Sequence, residues 1–204
     1  MTVRIFKEDP VRPPGIQAGD QIFAAEIFPV DLHARAALRA DDVGFNDDGQ
    51  ASQGIIETVE GFAGVARDYL REGLAVALAG TKRDEVRCQQ IAAAAPGTIN
   101  LCGKTTPADL AGLIQRADVA VTNDSGSMHV AASLSKPMVS VFGPTNPVHI
   151  GPYQRPESVV RVDLPCSPCN YRRLSQCPFD HACMKQVTSA MVVERARKIL
   201  AAAK

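Results

Sequence analysis

The chain contains no tryptophan, and only 5% of its 204 residues are aromatic. It has no excess of either charge, because 22 Lys and Arg residues balance 22 Asp and Glu residues. Proteins that bind the phosphate backbone of nucleic acid usually carry a basic excess, so nothing here indicates a nucleic-acid partner. Positive charge is also missing from residues 41–58, which contain several acidic residues but no Lys or Arg.

Long apolar runs are missing as well. No stretch approaches the roughly 18 apolar residues that a membrane-spanning helix needs, and the first residues lack the apolar core of a signal peptide. With 46% hydrophobic and 22% charged residues, the composition is that of an ordinary globular protein. The expected compartment is therefore the cytoplasm. The length suits one domain with an extension.

Helices and strands alternate from Thr58 onward. Apolar residues recur at helical spacing up to Gly73, and residues 74–79 form a continuous apolar run of strand length. A further helix is predicted to begin at Thr106, a good N-cap that is followed by proline. This alternation predicts a Rossmann-like, doubly wound parallel α/β sheet within residues 58–204.

The two ends of the chain differ in how much they reveal. Residues 188–204 have apolar residues at helical spacing and are predicted to form a closing helix. Residues 1–57 show no clear periodicity, so we interpret them as an N-terminal extension or remnant outside the domain. Their sequence leaves open whether they add strands to the sheet.

The most informative stretch begins at Val119 and ends at Pro152. A β-branched run from Val119 predicts a strand, which is followed by a turn and a helix of small residues. A second strand is predicted over residues 138–142, and it ends in a Gly-Pro-Thr sequence. This is the strand–turn–helix–strand unit of a parallel α/β sheet.

The turn within this stretch is suited to binding an anion. Asp124 is predicted to cap the helix, and Ser125, Gly126 and Ser127 are predicted to form its first turn. Helix N-termini carry unpaired N–H groups and partial positive charge, and a glycine lets an anion approach the backbone. His129 lies one turn further on. The pattern is typical of a phosphate or pyrophosphate cradle; the alternative is an ordinary capped helix whose His bonds a backbone carbonyl.

Four loops follow predicted strands of the sheet. Ligands of such sheets bind at the carboxyl ends of the strands, so these loops are predicted to line one crevice. The loops are Gly80-Thr81, Gly103-Lys104, Asp124–Ser127 and Gly143–Thr145. For Lys82 and Lys104 the alternative interpretation is a solvated surface charge.

The six cysteines fall into two groups. Cys88 and Cys102 are interpreted as small buried hydrophobic residues. The other four lie in residues 166–183, which we call the cysteine segment: Cys166, Cys169, Cys177 and Cys183. Their spacing contains only one Cys-x-x-Cys pair and fits no standard zinc ribbon. Because disulfides are disfavoured in the cytoplasm, we favour reduced structural thiols over a metal site.

Five short motifs follow one another between residues 124 and 152. They are Asp124-Ser-Gly-Ser-Met-His129, Ala131-Ala132, Pro137, Phe142-Gly-Pro-Thr145 and Gly151-Pro152. In this order and spacing they resemble glycosyltransferase family 9, the heptosyltransferase-type family that builds the bacterial lipopolysaccharide core. The resemblance covers about residues 58–204. It implies the C-terminal, donor-binding half of a GT-B enzyme, in which two Rossmann-like domains face each other.

The resemblance also implies a reaction. A sugar would pass from a nucleoside diphosphate donor such as ADP-heptose to a lipid-linked saccharide acceptor at the inner face of the bacterial inner membrane, with no metal or other cofactor. Asp124 would contact the sugar or orient its loop, and Gly143, Pro144 and Thr145 would shape the opposite wall. The other residues implied to bind the donor are Ser125, Gly126, Ser127, His129, Thr81 and Lys104.

The chain departs from the family in two respects. The catalytic base is expected in the family's N-terminal acceptor domain, and none is identifiable here, so a separate domain or subunit would have to supply it. The family's donor half usually begins with a strand and a basic loop that contains Lys and a Trp-Pro pair, whereas residues 41–58 have no such cation. The alternative function is a truncated or degenerate nucleotide-binding domain without transferase activity of its own.

Overall fold

The computed structural model describes residues 2–6, 55–169 and 177–203 of the chain. Most of the predicted extension, residues 1–57, therefore lies outside the described residues, and so does the acidic stretch that precedes residue 55. The proposed boundary at residue 58 stays a prediction. The described strands and helices are β1 (Thr2–Phe6), α1 (Ile55–Arg71), β2 (Ala75–Ala79), α2 (Glu85–Ala94), β3 (Ile99–Asn100), α3 (Pro107–Arg116), β4 (Val119–Asn123), α4 (Gly126–Ser133), β5 (Met138–Val141), α5 (Pro147–Ile150), β6 (Val159–Val160), α6 (Ala182–Lys185) and α7 (Ser189–Ala202).

All the described strands belong to one sheet, in the order β3-β2-β1-β4-β5-β6. The pairs β2–β3, β4–β5 and β5–β6 are parallel. Because β2 and β4 are each antiparallel to the strand between them, they run in the same direction as each other. Five strands therefore point one way, and the α/β, Rossmann-like prediction is confirmed.

The central strand β1 is the exception, since it runs against its neighbours on both sides. Thr2 lies opposite Ala79 and Thr122, whereas Phe6 lies opposite Ala75. The strand thus begins at the carboxyl edge of the sheet and ends at the opposite edge. The parallel sheet predicted within residues 58–204 is thus confirmed, and the first residues of the chain add an antiparallel strand at its centre.

Helices cover both faces of the sheet, as a doubly wound arrangement requires. Successive residues of a strand point to opposite faces, and those of β4 do so here. Val119 and Val121 pack in a cluster with α1, α2 and α7, while Ala120 packs with Met128 of α4. Both faces of the sheet are buried under helices, which explains why the strand sequences are continuous apolar runs.

The helix boundaries follow local chemistry. Gly73, two residues after the end of α1, has a φ of +78°, in the left-handed region that stops a helix at little cost for glycine. The predicted start of α3 is confirmed, because the Thr106 side chain accepts from the Asp109 N–H and the Asp109 carboxylate accepts from the Thr106 N–H. This reciprocal pair satisfies two N–H groups that the helix itself leaves open.

Tyr69 places its polar hydroxyl group in the hydrophobic core. The side chain is 1% exposed, and its hydroxyl has no hydrogen-bond partner among the described residues. Burial, with a smaller contribution from the Glu72 carboxylate, raises the pKa of Tyr69 to about 12. The folded protein therefore holds the phenol proton more tightly than the unfolded chain does.

We expect Tyr69→Phe to change how stability depends on alkaline pH. The wild-type chain should lose up to about 2–3 kcal/mol of unfolding free energy as pH rises from 10 toward 12, because the unfolded phenol ionises first. Phe cannot ionise and leaves no unpaired hydroxyl, so the variant should be at least as stable at neutral pH and lack this loss. Urea unfolding between pH 7 and 11.5 measures both effects. Tyr153→Phe, at a side chain that is 76% exposed, is the control and should follow the wild-type curve.

Candidate functional site

The predicted loops lie at one edge of the sheet. The loops after β2, β3, β4 and β5 follow the carboxyl ends of these strands. Because the four strands run in the same direction, these ends lie at the same edge of the sheet. We call the region bounded by these four loops the crevice. The start of β1 lies at the same edge, between the ends of β2 and β4. The structure thus brings the predicted binding residues to one edge, while their contacts with a ligand stay a prediction.

Helix α4 begins one residue later than its sequence indicates. Its N-cap is Ser125, not Asp124, and its first helical residue is Gly126. The Ser125 hydroxyl bonds the Asn123 carbonyl at 3.3 Å and the Ser127 hydroxyl at 2.9 Å, so it does not cap the helix itself. The prediction that Asp124 caps the helix is therefore wrong, because the extended backbone of Ser125 delays the first turn, while the predicted role of Asp124 in donor binding stays a prediction. The first N–H groups of such a helix have no carbonyl partner within it.

His129 stands on the exposed side of α4, whereas its neighbour Met128 is fully buried in the core. The His129 ring makes no hydrogen bond within the part of the chain that the structure describes, which argues against a His bonded to a backbone carbonyl. It borders an open groove of about 1030 Å³ that continues along α5 and α7. Its ring nitrogens are accessible to a bound molecule.

Where β4 and β5 end, two buried polar atoms have no hydrogen-bond partner among the described residues. One is Oδ1 of Asn123, the last residue of β4, and the other is Oγ1 of Thr145, which follows β5 in the Gly-Pro-Thr loop. Buried polar atoms in native proteins are nearly always hydrogen-bonded, so an unpaired one often marks a place for water or ligand. Thr145 was among the predicted residues. Asn123 was not, although its place directly before Asp124 is the signal that could have identified it.

The residues predicted for the nucleotide end of the crevice are exposed. Thr81 donates its hydroxyl and its backbone N–H to Asp84, so its side chain is engaged in a local turn. Lys104 is exposed, and its ammonium donates to the Asn100 carbonyl at 3.2 Å. Lys82 is exposed too. None of the three is held in a fixed position against the α4 turn by the contacts seen here, so their roles stay predictions.

Cys88 and Cys102 are buried as predicted, but they do not stand alone. The structure joins them in a disulfide between α2 and the end of β3. Cys102 Sγ also lies 3.7 Å from the Thr81 carbonyl oxygen, so the pair packs directly behind the loop after β2. Their interpretation as separate hydrophobic residues is corrected accordingly.

The four thiols of the cysteine segment are free. Burial, and next the nearby Cys169 thiol, raise the pKa of Cys183. Cys177 Sγ accepts the His181 backbone N–H at 3.3 Å. In the described ranges, no three His, Cys, Asp or Glu side chains are arranged to hold a metal ion. Nor is any helix of those ranges long and apolar enough to cross a bilayer.

Curated proteins with similar sequences are heptosyltransferases. A curated lipooligosaccharide heptosyltransferase 2 from Haemophilus influenzae is 30% identical over 145 residues, covering 69% of this chain and 42% of that protein. One from Campylobacter jejuni is 39% identical over 103 residues, covering 50% of this chain and 31% of that protein. The chain thus spans less than half the length of these curated relatives.

Solved structures and a family model agree with these relatives. The E. coli ADP-heptose lipopolysaccharide heptosyltransferase II superposes with a TM-score of 0.59 at 27% identity, over 71% of this chain and 42% of that one. A family 9 glycosyltransferase from Veillonella parvula gives a TM-score of 0.61 at 26% identity, over 88% of this chain and 50% of that one. The model of glycosyltransferase family 9 (heptosyltransferase) matches residues 58–183. The chain described here belongs to glycosyltransferase family 9.

Proposed function

We propose that this chain binds a nucleoside diphosphate sugar of the ADP-heptose type in the crevice, as the donor half of a glycosyltransferase that extends a lipopolysaccharide-core-type acceptor. The observation that carries the proposal is the start of α4, where the Ser125 and Ser127 hydroxyls lie next to open helix N–H groups, and directly before it Asn123 Oδ1 is buried without a partner among the described residues. A solved relative is described as acting with ADP-heptose, which supports ADP as the nucleotide.

The arrangement suits the leaving group of such a reaction. As the glycosidic bond breaks, the nucleoside diphosphate gains negative charge, and donors already aimed at it stabilise that charge in the transition state. The N-terminus of α4 contributes roughly half a positive charge, worth about 0.3–1 kcal/mol to an exposed anion and up to about 2 kcal/mol to a partly buried one. His129 and the serine hydroxyls would add hydrogen bonds to the same oxygens.

The described crevice residues include no identified base for the acceptor hydroxyl. Deprotonating the acceptor hydroxyl requires a base within hydrogen-bond distance of it. We propose that this base comes from an acceptor domain or subunit facing the crevice, with transfer taking place in the cytoplasm at the inner membrane face. The relatives, which are more than twice as long as the matched part, leave room for such a domain.

A second candidate is a nucleotide-binding domain that transfers nothing by itself. The absence of Lys and Arg from residues 41–58 supports it, because the donor half of the family usually has a basic loop there. Calorimetric titration with ADP, UDP and GDP tests binding, and transfer assays with ADP-heptose test turnover. Binding with turnover supports the transferase, and binding without turnover supports the second candidate. A folded chain that binds none of the nucleotides contradicts both.

His129→Ala is expected to weaken ADP binding about tenfold, the loss that removal of one charge-assisted hydrogen bond produces. The ring is exposed and packs in no core cluster, so the melting temperature should not change. His149→Ala is the matched control, since His149 is also exposed and lines the same groove but lies on α5. An ADP affinity of His129→Ala equal to that of the wild-type chain would remove His129 from the site.

A further inference from the structure

The cysteine segment holds the Gly-Pro-Thr loop through two consecutive carbonyls. The Ser167 hydroxyl donates to the Gly143 carbonyl oxygen at 2.6 Å, and the Cys169 backbone N–H donates to the Pro144 carbonyl oxygen at 2.8 Å. Gly143 is packed closely as well, because an added Cβ would lie 2.9 Å from Met184 Cγ and 3.2 Å from Cys183 Sγ, so the Met184 side chain would have to move. The loop is thus fixed from one side by close contact and by two hydrogen bonds.

Ser167 is in turn tied to the sheet. Its carbonyl oxygen accepts from the Arg161 guanidinium at 3.0 Å, and its N–H donates to the Leu164 carbonyl oxygen at 2.9 Å. Arg161 directly follows β6, which pairs with β5. A continuous set of contacts therefore runs from the edge strand β6 through Ser167 to the loop that follows β5.

These bonds determine which way the next peptide faces. The Pro144–Thr145 bond is trans, since Ser167–Pro168 is the cis bond found in the described residues. In a trans peptide the C=O and the following N–H point in opposite directions. With the Pro144 carbonyl directed at Cys169, the Thr145 N–H points away from the cysteine segment. The Thr145 hydroxyl is buried and unpaired among the described residues, so Thr145 has two donors to offer.

We propose that Ser167 is a positioning residue of the donor site. The Cys169 bond to the Pro144 carbonyl directs the Thr145 N–H toward an oxygen of the bound nucleoside diphosphate sugar, and Ser167, by holding the preceding Gly143 carbonyl, keeps the loop in the position that this requires. Residues 166–169 then support one wall of the crevice, which gives this part of the chain a role in ligand binding. The inference rests on the proposed function, because it requires that the crevice bind a nucleotide.

The test compares Ser167→Ala with Ser167→Thr in the full chain. We expect Ser167→Ala to bind ADP about fivefold more weakly, the effect of losing one net hydrogen bond, and amide hydrogen exchange at Thr145 and Asn146 to become faster. Ser167→Thr keeps the hydroxyl and should restore both values. Ser158→Ala is the matched control, because Ser158 also donates to a carbonyl, that of Arg155 at 2.8 Å. It should leave ADP binding unchanged.

The outcomes separate this inference from the proposed function. Wild-type binding of ADP together with unchanged affinity in Ser167→Ala would overturn the positioning role and leave the proposed function standing. Failure of the wild-type chain to bind ADP, UDP or GDP would overturn both. If Ser167→Ala does not fold, Cys169→Pro removes the other loop bond by deleting its N–H, and unchanged ADP affinity there would overturn the inference equally.

Discussion

Gly126→Val is expected to bind ADP at least about a hundredfold more weakly than the wild-type chain. Gly126 is the first helical residue of α4, so its missing side chain leaves the N–H groups of the first turn open to an approaching phosphate. A branched side chain there would displace the anion from those groups. Losing two hydrogen bonds to a charged ligand, at about 1.5–3 kcal/mol each, corresponds to about 3–6 kcal/mol of binding energy.

The free energy of unfolding of Gly126→Val should not fall, although its affinity for ADP does. Valine is a better helix former than glycine, so the first turn of α4 should form at least as well. Gly126→Ala should show a smaller loss of ADP affinity, because its methyl group projects less far. Gly61→Val in α1 is the control, since an added Cβ there meets no atom within 4 Å. Calorimetry and thermal unfolding measure both quantities, and a Gly126→Val protein that binds ADP normally would place the nucleotide elsewhere.

The open helix start after β4 could be predicted because its residues are contiguous in sequence. Small and polar residues directly after a β-branched run indicate a strand that ends in an open helix start, and parallel strands bring such ends together. What the sequence could not provide was the state of individual atoms. Whether Asp124 or Ser125 caps α4 depends on backbone angles at one residue, and the unpaired oxygen of Asn123 depends on what packs around it.

The long-range contacts of the cysteines could not be predicted from the sequence either. Cys88 and Cys102 lie 14 residues apart on different elements, and only the packing of α2 against the end of β3 brings their Cα atoms to 6.3 Å. The spacing of the other four cysteines suggested a metal site or free thiols. It gave no sign that the segment supports the loop after β5, since that contact runs through Ser167 and the backbone of Cys169.

The alternation of helices and strands was predicted correctly from Thr58 onward, but the centre of the sheet was not. A five-residue strand carries no sequence signal for its direction, because backbone groups can pair with either a parallel or an antiparallel neighbour. The sequence pattern between residues 58 and 142 concerned only strands joined by helices. The strand Thr2–Phe6 comes from outside that range and fills the gap between β2 and β4.

Arg4→Pro is therefore expected to destabilise the whole domain by about 3 kcal/mol or more, or to prevent folding. Arg4 pairs with Ala77 on one side and Ala120 on the other, in the middle of a strand that has neighbours on both sides. Proline has no N–H, and proline is found in sheets essentially only at edges and bulges. One carbonyl of a buried neighbouring strand would lose its partner, at a cost of about 1–3 kcal/mol, and the ring would add a steric penalty.

Arg4→Thr distinguishes this effect from a change of side chain, because threonine keeps the N–H and has high β propensity. Urea unfolding followed by circular dichroism should show a large loss for Arg4→Pro and a small one for Arg4→Thr. Hydrogen exchange should also rise in both β2 and β4 of the proline variant, since both strands lose their central neighbour. An Arg4→Pro protein with a wild-type midpoint would mean that residues 2–6 do not hold the sheet together.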